Sequence, residues 1–148
     1  MRIYLDSCCL QRPFDDQTQP RIKVEAEAVL AILASIQAGE LSMLNSEALE
    51  YELSRIPDDV RRNEVMAVLA LADERLEIDD ATERLAEQLE RRGLRSMDAV
   101  HLAIASTAKA DFFCTCDDKL LRGSLAVSSL TCKVVTVLGL VLRHINYV

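Results

Sequence analysis

The chain has 148 residues, with 24 acidic and 17 basic side chains, so its formal net charge is −7 at pH 7. Half of the residues are hydrophobic and 28% are charged, which fits a globular protein with one domain over residues 1–148. The apolar stretches are shorter than the roughly 18 residues that cross a bilayer, so we expect no membrane span. The acidic balance argues against a protein that coats nucleic acid through its net charge, but it permits one that cuts nucleic acid at an acidic metal site.

The start of the chain and its cysteines indicate the compartment. The segment MRIYLDSCCL does not fit a secretory signal, so we expect a cytoplasmic protein with reduced thiols that pack as small apolar residues. A zinc site stays open as a less favoured alternative, because the cysteines are not spaced as in the usual zinc modules. The five cysteines are Cys8, Cys9, Cys114, Cys116 and Cys132.

Strands are predicted to alternate with helices along the chain. Because most of the strands are continuous apolar runs, we expect an α/β fold with a parallel sheet covered by helices on both sides. Strands are expected over residues 2–5, 41–44, 76–78, 112–115 and 133–137. The first is followed by a loop over 11–20 and a helix that ends at Gly39, and later helices start at Ser46, after Asp58, at Asp79 or Asp80, at Ser96, at Asp117 and at Leu138.

Two of the clearest predicted strands end in a carboxylate. Asp6 follows RIYL, and Asp117 and Asp118 follow FFCTC. The carboxyl ends of parallel strands lie at the same edge of a sheet, where α/β proteins bind ligands, so Asp6 and Asp117 can meet there. The alternative for each acid is an ordinary turn residue or helix cap.

A third acid is identified from its position on a helix. Glu52 has Leu49 three residues before it and Ile56 four residues after it, which places its carboxylate beside the apolar stripe of the predicted helix. Such a carboxylate is costly unless a proton or a cation compensates it, although a side chain that reaches solvent remains an alternative. Glu50 has polar neighbours at helical spacing and is expected to face water.

Asp98 lies in the first turn of the predicted Ala-rich helix, where an acid also interacts favourably with the helix dipole. The apolar run that follows predicts a largely buried helix whose N-terminal tip faces the same sheet edge. Two unit charges about 5 Å apart repel by about 3 kcal/mol at an effective dielectric of about 20, so four such acids require protons or a divalent cation. Oxygen ligands that retain water suit Mg²⁺ or Mn²⁺, and the chemistry that follows is metal-assisted phosphodiester hydrolysis.

Four segments together resemble the PIN-domain nucleases. They are RIYLDSCCL, SEALEYELSRI, RSMDAVHLAIA and FFCTCDDKLL, and they occur in the order and spacing found in VapC-like toxins and stand-alone prokaryotic PIN proteins. The resemblance extends over nearly the whole chain. It implies a three-layer α/β/α sandwich with a central parallel sheet, a Mg²⁺- or Mn²⁺-dependent ribonuclease acting on RNA, and a homodimer.

The resemblance also assigns roles to residues by position. It implies that the catalytic and metal-binding acids are Asp6, Glu52, Asp98 and Asp117. Ser7 and Thr115 would support them through hydroxyl hydrogen bonds. Because Cys116 stands inside the T-x-D pattern and Asp118 follows it, either acid can be the metal ligand; we favour Asp117 and expect Asp118 to cap the short helix.

Histidine and basic residues supply further candidates. His101 follows Asp98 by three residues and is interpreted mainly as a buried core histidine with its hydrogen bonds satisfied, and otherwise as a partner of Asp98 or of a phosphate. Arg12, Lys119 and Arg122 are candidate contacts for the RNA backbone, with a solvated surface as the alternative for each.

The leading hypothesis is therefore an endoribonuclease that uses an activated water. The resemblance extends this hypothesis to the toxin of a pair, held inactive by an antitoxin protein. One alternative is a non-catalytic PIN-like module that binds RNA or protein. Another is a phosphatase with an aspartyl nucleophile, which is disfavoured because Asp6 does not begin a D-x-D motif.

Overall fold

Five parallel strands form the centre of the molecule. The computed structural model describes residues 1–144, so the last four residues of the predicted domain lie outside the described part. The order across the sheet is β3-β2-β1-β4-β5, and every neighbouring pair is parallel. The strands are β1 (Arg2–Leu5), β2 (Ser42–Ser46), β3 (Glu74–Leu76), β4 (Phe112–Thr115) and β5 (Lys133–Thr136).

Helices connect successive strands and cover both faces of the sheet. Their bounds are α1 (Ser7–Gln11), α2 (Pro20–Gln37), α3 (Glu47–Ser54), α4 (Asp59–Leu69), α5 (Asp80–Arg91), α6 (Ser96–Thr107), α7 (Asp118–Leu125) and α8 (Val137–His144). The chain reverses its direction across the sheet after β3, so the right-handed crossover rule implies that α1–α4 cover one face and α5–α7 the other. The predicted three-layer α/β/α fold is confirmed. Among the described residues, no helix combines the length and the apolar character that crossing a membrane requires.

Local sequence signals account for most of the element boundaries. β1 lies in the middle of the sheet, and its Ile3, Tyr4 and Leu5 are fully buried, as the apolar run RIYL predicts. The helix starts predicted at Ser46, after Asp58 and at Asp79 are also confirmed, and Ser46 Oγ accepts a hydrogen bond from the Leu49 backbone N–H at 3.0 Å. Asp58 and Asp79 cap the next helices in the same way. Gly93, with a φ of +101°, lies just beyond the end of α5.

The loop predicted over residues 11–20 is shorter in the structure. Residues Ser7–Gln11 form α1 and Arg12–Phe14 form a 3₁₀ turn, so the irregular segment covers only residues 15–19. The reason is Asp6, whose carboxylate accepts the Ser7 N–H at 2.8 Å and whose carbonyl accepts the Cys9 N–H at 2.9 Å. This cap starts a helix too short to show an apolar period in the sequence.

Candidate functional site

The carboxyl edge of the sheet gathers the four predicted acids. Asp6 follows the central strand β1, and Asp117 lies two residues after the end of its neighbour β4. Glu52 is carried by α3, and Asp98 by the first turn of α6. Since the two strands are parallel, Asp6 and Asp117 lie at one edge of the sheet.

Asp6 is buried and held by three donors. Only 5% of the residue is exposed. Its Oδ2 accepts hydrogen bonds from Thr115 Oγ1 at 2.9 Å and from Cys8 Sγ at 3.3 Å, and its Oδ1 accepts the Ser7 N–H at 2.8 Å. Burial, and next the neighbouring Cys8, raise the pKa of Asp6 well above its usual value, although His101 and Thr115 act in the opposite direction. The charged form of Asp6 therefore needs a nearby cation.

Glu52 faces a chain of buried polar groups. Its Oε2 lies 3.4 Å from His101 Nε2. The Nδ1 of the same ring is hydrogen-bonded to the Tyr4 hydroxyl at 2.6 Å, and that hydroxyl also contacts Ser46 Oγ at 2.7 Å. These hydrogen-bonded side chains therefore link α6, through β1, to the start of the helix that carries Glu52. Sequence reasoning missed Tyr4, because an apolar strand gives no sign that one of its side chains carries a functional hydroxyl.

The ionised form of Glu52 is favoured despite partial burial. Burial by itself raises the pKa of Glu52, but the neighbouring His101 ring, with its charge, and the Ser7 side chain together lower it below the usual value. The hydroxyl of Thr115 donates to Asp6, whereas the contact of Ser7 with Asp6 is made by its backbone N–H, so a supporting role of the Ser7 hydroxyl stays a prediction.

The charge of His101 acts on three of the four acids. The residue is 1% exposed, and its charge acts on the pKa values of Asp6, Glu52 and Asp98. The interpretation as a satisfied core histidine holds for Nδ1 only, because Nε2 has no hydrogen-bond partner and faces the carboxylate of Glu52.

Asp98 is half-buried and experiences the other acids directly. Burial and then the charge of Asp117 raise its pKa; Glu52 adds to the increase, while Arg95 and His101 oppose it. The mutual repulsion expected from the sequence is therefore present between Asp98 and two of the other three acids.

The two adjacent acids after β4 have different roles. Asp117 Oδ1 accepts the backbone N–H groups of Lys119 at 2.9 Å and Leu120 at 3.3 Å, so Asp117 is the cap of α7. The prediction that Asp118 caps this helix is wrong, because Asp118 is itself the first residue of the helix and Asp117 precedes it. Asp118 is instead exposed, and both of its oxygens lie 2.8 Å from the guanidinium of Arg21, which lowers its pKa.

A cationic cavity adjoins Asp98. Its volume is about 130 Å³, and Arg92, Arg95 and Lys119 line it together with Asp98. Sequence reasoning identified Lys119 but missed the two arginines, although the run RRGLR directly before the Asp98 motif was a visible signal.

Arg12 and Arg122 are the other two residues predicted to contact the RNA backbone, and their surroundings differ from those of Lys119. Arg12 Nη1 lies 3.0 Å from Asp15 and its Nε lies 3.4 Å from Glu25, so these acids largely balance its charge. Arg122 is exposed on α7, and its charge helps to lower the pKa of Asp118.

The donor set fits a hard divalent cation. Glu52 Oε2 is buried without a hydrogen-bond partner, and Asp6 is buried with a raised pKa; a bound cation relieves both conditions. Within residues 1–144, no three acidic side chains place their oxygens within 4.8 Å of one another, so the acids line a cleft instead of a closed cage. This arrangement suits Mg²⁺ or Mn²⁺, which take carboxylate ligands and retain several waters.

Comparison with known proteins yields a family and a fold. A family model described as PIN domain matches residues 3–124. The chain is also similar to the crystal structure of VapBC2 from Rickettsia felis bound to a DNA fragment from their promoter. The TM-score is 0.55 at 14% sequence identity, over 92% of this chain and 98% of that chain. At that identity, the likeness shows the fold alone. No curated protein sequence matches the chain.

Proposed function

The chain belongs to the PIN domain family, whose members are generally nucleases, and on that premise we propose that it is a Mg²⁺- or Mn²⁺-dependent endoribonuclease. The observation that carries the proposal is the buried environment of two carboxylates, Asp6 and Glu52. Asp6 is buried with a raised pKa, and Glu52 has a buried oxygen without a hydrogen-bond partner. The charged form of the buried Asp6 requires a cation, and a cation between Asp6 and Glu52 is suited to a phosphodiester substrate.

Asp6, Glu52, Asp98 and Asp117 would hold the metal. When bound, a divalent ion lowers the pKa of a coordinated water and neutralises charge on the phosphodiester. The chain's other residues orient these acids: Thr115 and the Ser7 N–H hold Asp6, while His101 holds Glu52. The attacking group in this scheme is water, so no covalent enzyme intermediate forms.

The cationic cavity beside Asp98 is the proposed place for the substrate backbone. Arg92, Arg95 and Lys119 can bind phosphates next to the acids, which offsets the repulsion between RNA and a chain of net charge −7. Contacts of this kind position the backbone and do not read its sequence.

We further propose that the chain is the toxin of a toxin–antitoxin pair. The similar structure from Rickettsia felis is a VapBC complex, which supports an antitoxin protein as the partner. A partner that covers the acidic cleft with a basic side chain would block the metal and the substrate together. Co-purification with a neighbouring gene product that abolishes cleavage would support this role.

The proposal is tested with purified protein incubated with defined RNAs and DNAs, with Mn²⁺ or with EDTA. We expect Mn²⁺-dependent cleavage of RNA that Asp6→Asn and Asp98→Asn abolish. Asp80→Asn, at an exposed acid on α5, should retain full activity. Circular dichroism checks that each variant is folded, and parallel purification excludes a contaminating nuclease. Unchanged cleavage by either cleft variant would refute the proposal, and absence of Mn²⁺ binding by calorimetry would favour a non-catalytic binding module.

A further inference from the structure

Three cysteine thiols form a cluster beside the acidic cleft. Cys8 and Cys9 lie on α1, and Cys116 follows β4. Their three sulfur atoms lie within 4.8 Å of one another, and Cys9 and Cys116 are separated by 3.8 Å. Cys114 and Cys132 are not members of the cluster. In the proposed nuclease site Cys8 only donates a hydrogen bond to Asp6, and Cys9 and Cys116 have no role.

The spacing of the sulfurs matches a tetrahedral metal site. Zinc–sulfur bonds of about 2.3 Å at tetrahedral angles place two sulfur atoms about 3.8 Å apart. Cys9 and Cys116 already have this separation, and a shift of less than about 1 Å brings each remaining pair to it. Since Cys8 and Cys116 are distant in sequence, the spacing results from the packing of α1 against the end of β4.

The surroundings of the cluster suit a thiolate site. The backbone N–H of Cys116 donates to Cys8 Sγ at 3.4 Å, so this sulfur already acts as an acceptor. The Arg12 side chain lies beside Cys116, so one positive charge, shared with Asp15 and Glu25, adjoins the cluster. Cys9 and Cys116 are buried, whereas Cys8 is partly exposed and gives an ion access from solvent.

We propose that Cys8, Cys9 and Cys116 bind a zinc ion through their three sulfurs, with solvent or an external ligand in the fourth position. Sulfur ligands select zinc over Mg²⁺ and Mn²⁺, whereas the carboxylates of the cleft have the opposite preference. The two sites would therefore hold different metals in the same protein. All three thiols release their protons to solvent when the ion binds, including Cys9, which donates to the Cys114 carbonyl at 3.2 Å, and Cys8, which donates to Asp6 Oδ2 at 3.3 Å.

The test uses the reduced, metal-free, full-length protein titrated with Co²⁺, a spectroscopic substitute for zinc. We expect one Co²⁺ per chain with a sulfur-to-cobalt charge-transfer band and the visible bands of a tetrahedral site. Stoichiometric Zn²⁺ should remove these bands, because zinc binds such ligands more tightly than cobalt. Absence of the charge-transfer band would overturn the proposal. Because no RNA is involved, this result is independent of whether the protein is a nuclease.

Variants decide which residues bind. Cys8→Ser and Cys116→Ser should lose the charge-transfer band and weaken zinc affinity by more than about 100-fold, since even outer partners of metal ligands contribute about 10–100-fold. Cys132→Ser, at a buried thiol outside the cluster, and Asp98→Asn, in the carboxylate cleft, should keep the band. Cys8 is partly exposed, so its serine variant should retain the fold, as thermal unfolding would verify. Cobalt bands of full intensity in Cys8→Ser would exclude the site.

Discussion

His101 Nε2 lies 3.4 Å from Glu52 Oε2, and within residues 1–144 neither atom has a hydrogen-bond partner. The ring cannot easily turn away, because its Nδ1 is hydrogen-bonded to the buried Tyr4 hydroxyl at 2.6 Å. The pair therefore fixes the position of Glu52 at the cleft and favours its charged form. This makes His101 a positioning residue that acts through Glu52.

Replacing His101 with Phe should destabilise the protein and weaken its activity. The substitution preserves most of the volume but removes the imidazole that faces the Glu52 oxygen and leaves the Tyr4 hydroxyl with Ser46 alone, so we expect a loss of about 1–3 kcal/mol in the free energy of unfolding. Urea denaturation measures this change. Mn²⁺-dependent cleavage should fall by about 10–100-fold, as for other partners of metal ligands.

Tyr4→Phe is the matched control for that variant. It removes only the hydroxyl that holds the ring, so we expect a smaller loss of about 0.5–1.5 kcal/mol, and the double variant should be less destabilised than the sum of the two. A fully additive double variant would show that the two groups do not act as a unit.

Asp6 should make the metal-free protein less stable as the pH rises. Its pKa is raised in the folded state, so its contribution is complete below the unfolded value of about 3.9 and is lost as the pH passes through the folded pKa. In EDTA, Asp6→Asn should therefore be more stable than the wild type at neutral pH, with a difference that shrinks towards acid pH. Thermal unfolding across the pH range measures this.

The control for Asp6 is Asp118, whose pKa is shifted in the opposite direction. The Arg21 ion pair lowers the pKa of Asp118, so its contribution is present above the unfolded pKa and is lost as the pH falls through the folded value. Asp118→Asn should therefore be less stable than the wild type near neutral pH, with a difference that shrinks as the pH falls. Equal pH profiles for the two variants would contradict the assignment of a buried, destabilised Asp6.

The sequence predicted the sheet and most helices because their signals are local. The apolar run of β1 and the caps Ser46, Asp58 and Asp79 lie within a few residues of the elements that they define. The helix α1 was missed because five residues show no period. β2 extends beyond the predicted residues 41–44 to Asn45 and Ser46. These two residues belong to the strand because they pair with β3, and hydrophobicity does not predict that pairing.

In the site, too, the features set by local sequence were predicted and the contacts between distant residues were not. Glu52 was chosen because the apolar stripe on its own helix predicts where its side chain lies. The contact between Tyr4 and His101 joins residues 97 positions apart, so no local pattern contains it. The roles of Asp117 and Asp118 depended on a helix boundary that differed from the prediction by one residue, and sequence patterns do not resolve boundaries that finely.

The cationic cavity should determine substrate affinity more than catalytic rate. Arg92→Ala and Arg95→Ala each remove a positive charge beside Asp98, so KM for RNA should rise while kcat changes less. Each variant should also reduce the salt dependence of binding by about 0.7 in the slope of log K against log salt concentration. Arg91→Ala, at a neighbouring arginine that does not line the cavity, is the control. An unchanged salt slope in both cavity variants would place the RNA elsewhere.

The final prediction distinguishes the two adjacent acids by their effect on Asp98. The charge of Asp117 is the second cause, after burial, of the raised pKa of Asp98, whereas Asp118 lies against Arg21. In the metal-free protein, Asp117→Asn should therefore lower the pKa of Asp98, and Asp118→Asn should leave it nearly unchanged. Carboxyl-carbon NMR of Asp98 during a pH titration measures both shifts. The asparagine retains a side-chain oxygen that can accept the N–H groups at the start of α7, so the helix should remain capped. If Asp118→Asn produced the larger shift, Asp118 and not Asp117 would be the acid that faces the cleft.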